Sequence, residues 1–231
     1  MTEDDLPEPV RPLFAAYVQR ELPAARTALG GNQAKPVRPR IVTVYRRMDT
    51  AISEANAEVA CHEGCDYCCH YQVMATPAEV FALAEHIGQM PQARRAALRE
   101  RIRTYNDRTA SMSTHEHVHT NVPCALLEDH RCSAYEYRPS ACRGHHSLDA
   151  SVCKRTFDEP SLNELSPRDA EREAIRYAFS TVLYFAQSAA HVDSEHVELH
   201  RALEAALSSG TPLKRWRKGK SPFALSNVER G

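Results

Sequence analysis

Four cysteines within nine residues constrain this chain more than any other feature. Cys61, Cys65, Cys68 and Cys69 stand in the run CHEGCDYCC. Cys124, Cys132 and Cys142 follow in PCALLEDHRCSAYEYRPSACRGHHS, with Cys153 close behind. Thiols at such spacing bind a soft metal, hold an iron–sulfur cluster or pair as disulfides. Cysteine also occurs as a small buried hydrophobe, but eight scattered at random would not place four in nine residues. At 231 residues, the chain is long enough to bury a core without covalent staples. Its start, MTEDDLPEPVRP, lacks the basic and apolar stretches of a secretory signal. The cytoplasm is therefore the expected location, and thiols stay reduced there. A metal or cluster thus ranks ahead of disulfides.

The spacing suits ligation. Tight turns between Cys61, Cys65 and Cys68 let successive sulfurs converge while intervening backbone N–H groups point at them. Gly64 supplies the positive φ that such a turn needs. Cys69 directly follows Cys68, and adjacent side chains in an extended segment point apart, so one of the pair serves a second site or a bridging role. All eight cysteines are the expected metal ligands. Two tetrahedral centres would use them all, as would one iron–sulfur cluster plus a second site.

Around the cysteines the pattern is helical, and the expected fold is mainly α: a helical domain wrapped around a Cys-rich, loop-dominated centre. Residues 10–29 read as a helix interrupted at Pro23. In 40–58, Ile41, Val44, Tyr45, Met48, Ile52 and Ala55 share a helical face. After a short extended segment at 71–75, Thr76-Pro-Ala-Glu79 opens a helix with a capping box. Residues 91–108 read as a charged helix forming a solvated outer layer, and 111–123 as a His-rich loop or short strand. Ser166-Pro-Arg-Asp169 starts a helix running to about 190. Asp193 or Ser194 caps a last one, with apolar face Val197, Leu203 and Leu207, that Gly210 and Pro212 stop. One domain over 1–212, with its metal-binding core at 61–155, precedes a mobile basic tail at 213–231.

Two stretches resemble a known family: GCDYCCHYQVMATPAEVFALAEHI and PCALLEDHRCSAYEYRPSACRG. The second carries Pro-Cys, then Cys-x-x-Tyr, then Arg-Pro-x-x-Cys-Arg. The ordered series is similar to the zinc- or iron-chelating cysteine-cluster family, also called YkgJ-like, over residues 61–155. The family signature has two residues between its first two cysteines, whereas three separate Cys61 from Cys65. The resemblance implies metal chelation, by a 4Fe–4S cluster in first place or by Zn2+, and a redox role with a protein electron partner. Closed zinc in an interaction or metal-handling module is the alternative. A flagellin lysine methylase is similar through its cysteine cluster alone, which makes a metal-dependent methylase a further alternative.

The histidines offer weaker signals. His115-Glu-His-Val-His119 contains the H-E-x-x-H spacing of zinc proteases, but its neighbours do not favour a helix. In an extended strand His115, His117 and His119 would share a face as an accessory site. His70, His145 and His146 adjoin cysteines as candidate ligands or proton carriers. His196 and His200, four apart on an expected helix, could share a metal, but read first as an exposed face beside Glu195 and Glu198. Lys214–Lys220 is basic, but the net charge is −1, so nucleic acid is not an expected partner. No apolar run is long enough to span a membrane, and no phosphate-binding glycine motif is present.

Overall fold

The computed structural model describes residues 6–162 and 164–223. Ten α-helices and two two-stranded ladders lie among the described residues, so the fold is mainly α, as the periodicity predicts. Helix α1 (Arg11–Gly30) packs along α8 (Ala170–Ala189), with α2 (Arg38–Glu54) beside both. Pro23 lies inside α1 without ending it, contrary to the expected interruption. α2 buries Ile41, Val44, Tyr45, Met48 and Ala51, the predicted stripe shortened at its end. Asp169 caps α8 by accepting from the Arg172 amide, as the sequence signal predicts.

Helix α3 (Pro77–Gly88) begins at the predicted capping box and is buried on nearly every side over residues 77–83. It packs against α2 and against α9 (Leu199–Ser208). Helix α4 (Gln92–Thr109) is not the expected solvated layer. It also packs on α9, burying Leu98, Ile102 and Tyr105. Most of its arginines are exposed, with Arg95 and Arg101 half-buried, so charge composition concealed a buried stripe.

Two further expectations are corrected. Residues 114–118 form a short helix, α5 (Thr114–Val118), because Ser113 and Glu116 make a reciprocal capping box that outweighs the poor propensity of the segment. The last long helix is capped by Glu198, whose carboxylate accepts from the Arg201 amide, not by Asp193 or Ser194. Val197 and Glu198 form strand β4, antiparallel to β1 (Met74–Ala75). This long-range pairing docks the start of α9 beside the first cysteine cluster.

The segment after 213 differs from a mobile tail over its described part; residues 224–231 lie outside it. Helix α10 (Thr211–Trp216) buries Trp216 against Phe81, and Trp216 Nε1 donates to the Asp193 carbonyl at 2.8 Å. Phe223 stacks on the same Phe81. Lys214, Arg215, Lys218 and Lys220 are exposed, Arg217 is half-buried with its guanidinium on the Lys35 carbonyl, and the run's one tryptophan is an anchor. Trp216→Ala is expected to cost about 3–5 kcal/mol, measured as a lowered denaturation midpoint. A loss below about 1 kcal/mol would show that the segment contributes little to the fold.

Candidate metal centre

The first cluster is built from consecutive turns. Cys65 N donates to His62 O (3.1 Å) across a turn whose third residue, Gly64, has φ +86°, the conformation predicted for it. Residues 67–70 then form a single 3-10 turn carrying Cys68 and Cys69. Ring contacts of Tyr67 and His70 with Phe157 hold that turn against α7 (Ala150–Asp158), the helix that carries Cys153.

The second cluster arrives on a hairpin. Strands β2 (Leu127–Glu128) and β3 (Arg131–Cys132) pair with Cys132 opposite Leu127. The two loop residues, Asp129 and His130, both have positive φ (47° and 62°), the left-handed pair that suits the twist of a tight hairpin. Cys142 sits on the short α6 (Ser140–Arg143). Two backbone bonds join the clusters: Cys124 N donates to Cys69 O and Ala60 N to Ser147 O, both at 2.8 Å.

All eight cysteines are free thiols, so no disulfide competes with ligation. They fall into two adjoining groups. Cys61 and Cys65 feel each other's surroundings through Cys68 and Cys153. Cys132 and Cys142 are coupled electrostatically to Cys124, and Cys142 to Cys68 as well. Cys68 thus belongs to both groups, and its thiol is hydrogen-bonded to that of Cys69. Backbone amides point at four of the sulfurs: Ser147 at Cys61, Tyr67 at Cys65, Leu126 at Cys124 and Ala134 at Cys132. In three of these the donor lies two residues after the cysteine.

The thiols resist losing their protons unaided. Burial pushes Cys61, Cys65 and Cys132 up, and the charges of neighbouring thiolates push them further. Cys68 is raised first by its hydrogen bond with Cys69, then by burial. Cys142 is raised well above the ordinary thiol value by burial and by Cys124, Cys68 and Cys132. A cation would relieve both the repulsion and the desolvation, because metal binding and thiol deprotonation are coupled. The donor set therefore fits a soft metal in its chemistry. In geometry the site is open: among the described residues no three Cys, His, Asp or Glu side chains converge closely enough to enclose an ion. Closure requires side-chain movement.

Cys124 shifts the other way from these five. Burial would raise its thiol, but the charge and hydrogen bond of His200 and the Leu126 amide outweigh burial, and the net shift is downward. Cys124 Sγ lies 3.2 Å from His200 Nε2, and His200 Nδ1 lies 3.0 Å from Glu198 Oε1. Burial alone would lower His200; Cys124 and Glu198 lift it to about 9. Glu198 is held below the usual carboxylate range, because His200 and the amides that start α9 overcome its own burial. Sequence reasoning missed this cluster. His200 is fully buried rather than on an exposed helix face, and His196 precedes α9 and meets Ser180 Oγ at 3.0 Å. The sequence offered His200 as a metal donor only in a pair with His196, which the structure separates from it, and the Glu-x-His spacing of 198 and 200 is too common to interpret.

The other histidines are accounted for locally. His146 is buried with both ring nitrogens engaged, Nδ1 with Gly144 O (3.2 Å) and Nε2 with the Asp169 amide (3.0 Å). His145 Nδ1 faces Arg168 and its ring meets Tyr71 edge-on. His70 Nδ1 meets Asp66 O at 3.2 Å. His115, His117 and His119 do not share a face. The rings of His115 on α5 and His119 just after it lie 4.2 Å apart, while His117 is buried against the Tyr105 hydroxyl at 3.0 Å. Glu116 is occupied by its cap, which leaves no base for protease chemistry. Arg143 is bound to Asp49 and the Glu136 carbonyl, and Arg138 lies over the Tyr135 ring.

Burial and Arg168 depress His145 to about 4. Its folded value lies below the unfolded one, so its neutral form contributes stability that is fully present above about pH 6.5 and lost as pH falls toward 4. The metal-free protein is expected to lose up to about 3 kcal/mol over that interval from this group. Denaturation midpoints across the range, compared with those of His145→Gln, check this: the variant should show a flatter profile.

Residues 60–164 match the family model CxxCxxCC, described as "putative zinc- or iron-chelating domain". No curated protein and no solved structure gave a match. No helix among the described residues is long and apolar enough to cross a membrane. The ordered cysteines, the turns that carry them and this match agree: residues 60–164 are similar to the CxxCxxCC zinc- or iron-chelating domain.

Proposed function

We propose that the protein holds an iron–sulfur cluster or zinc through its two thiol groups and, in the iron–sulfur form, passes electrons to a protein partner in the cytoplasm. The observation that carries this reading is the set of backbone amides aimed at Cys61, Cys65, Cys124 and Cys132. N–H groups directed at sulfur stabilise thiolate charge and tune the potential of thiolate-bound centres. Cys61, Cys65, Cys68 and Cys153 would supply one group, and Cys124, Cys132 and Cys142 the other, with Cys68 and Cys69 between them. The bound centre would supply either one-electron chemistry or a structural tie between the hairpin and the 61–69 turns. The chain's own contribution is to gather the thiols and direct amides at them.

Zinc is the second reading, favoured by the imidazole beside Cys124, since mixed nitrogen–sulfur donors suit that ion. Elemental analysis and a visible spectrum of protein purified without oxygen test both. Iron with equal acid-labile sulfide, and colour that bleaches on reduction, supports the redox reading. Colourless protein with stoichiometric zinc removes electron transfer. Protein that takes up neither metal overturns the proposal.

A further inference from the structure

We infer that His200 is a metal ligand, its Nε2 binding beside Cys124 in the second thiol group. The residue lies outside the 60–164 segment that matches the chelating family, so the inference deepens the metal-binding reading above by adding a donor from a helix that the match does not cover.

The geometry is that of a prepared imidazole. His200 is fully buried, and its ring stacks on Tyr105 with centroids 3.7 Å apart. Its Nδ1 is committed to Glu198 Oε1 at 3.0 Å. Glu198 is itself held, because Oε2 accepts from the Arg201 amide at 2.8 Å. A carboxylate on one ring nitrogen fixes the imidazole and makes the other a better donor, the arrangement found behind metal-bound histidines. That other nitrogen, Nε2, faces Cys124 Sγ at 3.2 Å and also meets the Ala125 amide at 3.3 Å, a contact the ion would displace. Two ligands of one tetrahedral zinc, at about 2.3 Å for sulfur and about 2.0 Å for nitrogen, lie roughly 3.5 Å apart. The pair is therefore within a few tenths of an ångström of sharing an ion.

Cys132 and Cys142 are the next nearest candidates, since both couple to Cys124. Cys132 lies on the hairpin and Cys142 on α6, so both segments must shift to bring their thiols to the ion. The proton between Cys124 and His200 leaves for solvent when the cation takes its place, and nothing is oxidised or reduced. The β1–β4 ladder makes this possible, extended by a bond beyond its end: Leu199 N donates to Val73 O at 2.9 Å, which ties the residue before His200 to the residue that precedes β1.

The test uses the full chain loaded with zinc alone. X-ray absorption at the zinc edge of the wild-type protein should show sulfur with the outer-shell scattering of at least one imidazole. His200→Cys should bind zinc with that imidazole signal gone, and Glu198→Gln should weaken zinc affinity by about 10-fold while keeping it. Circular dichroism of each metal-free variant separates misfolding from ligand loss. A sulfur-only shell in the wild type overturns the role of His200 and leaves the chelating reading standing. Wild-type protein that retains no zinc or iron overturns both.

Discussion

Replacing Cys68 with serine is expected to reduce metal binding at both thiol groups, whereas Cys153→Ser should affect only one. Cys68 is the thiol that couples to Cys61 and Cys65 on one side and to Cys142 on the other. It sits on the 3-10 turn with Cys69, whose carbonyl receives the Cys124 amide. Serine keeps the volume but is a poor ligand for a soft metal, and metal binding free energy in such sites is also folding free energy. The effect should therefore appear twice: in metal retained per chain, down by half or more, and in a lowered melting temperature of the loaded protein only. Metal content equal to wild type would show that Cys68 is a spectator between two independent sites. An equal loss of stability in the metal-free protein would assign it a packing role.

Glu79→Ala is expected to destabilise the fold by about 4 kcal/mol, since it removes the acceptor of several buried bonds. Glu79 is almost completely buried. Its Oε2 accepts from Thr76 N (2.9 Å) and Thr76 Oγ1 (3.0 Å), and its Oε1 from Ser140 N (2.7 Å) and the Tyr45 hydroxyl (3.2 Å). One carboxylate thus starts α3, anchors α2 and fixes the first residue of α6, two positions before Cys142. Alanine leaves those donors buried without partners. Glutamine would fare little better, because its NH2 must face N–H or O–H groups on one side. Denaturant midpoints measure the loss, and hydrogen exchange at the Ser140 amide should quicken in step with it. A change below about 1 kcal/mol would mean that water replaces the carboxylate at this site.

The same residue shows how much was legible from the sequence. Thr76-Pro-Ala-Glu79 reads as a capping box, and the structure has one. Nothing in the chain says that the second carboxylate oxygen serves Ser140, which is 61 residues away. The cysteine turns divide in the same way. The positive φ of Gly64 and the amides aimed at Cys65, Cys124 and Cys132 follow from spacing alone, because they involve neighbours within a few residues, whereas the Ser147 amide reaches Cys61 from 86 residues away. The closeness of Cys68 to Cys142 does not.

His200 was misread for a physical reason. Helical periodicity assigns faces only once the helix ends are known. The acceptor of the Arg201 amide, Glu198, starts α9 later than either Asp193 or Ser194 would. That shift removes His196 from the helix and turns His200 inward onto Tyr105 and Cys124. The basic run at 214–220 was misread for a related reason: its charge was visible, but the cavity between Phe81 and Asp193 that receives Trp216 is made by other segments.

The sequence by itself determined the helical class, the caps that start α3 and α8, the tight turn at Gly64 and the supply of thiols, since each depends on residues within about one helical turn. Only the tertiary structure decided which thiols are neighbours and that His200 and Glu198 stand behind Cys124. Those relations depend on the Met74–Glu198 strand pairing and on α4, α3 and α9 packing together. Contacts across more than a hundred residues arise from burying apolar surface in a particular arrangement, and no local pattern encodes them.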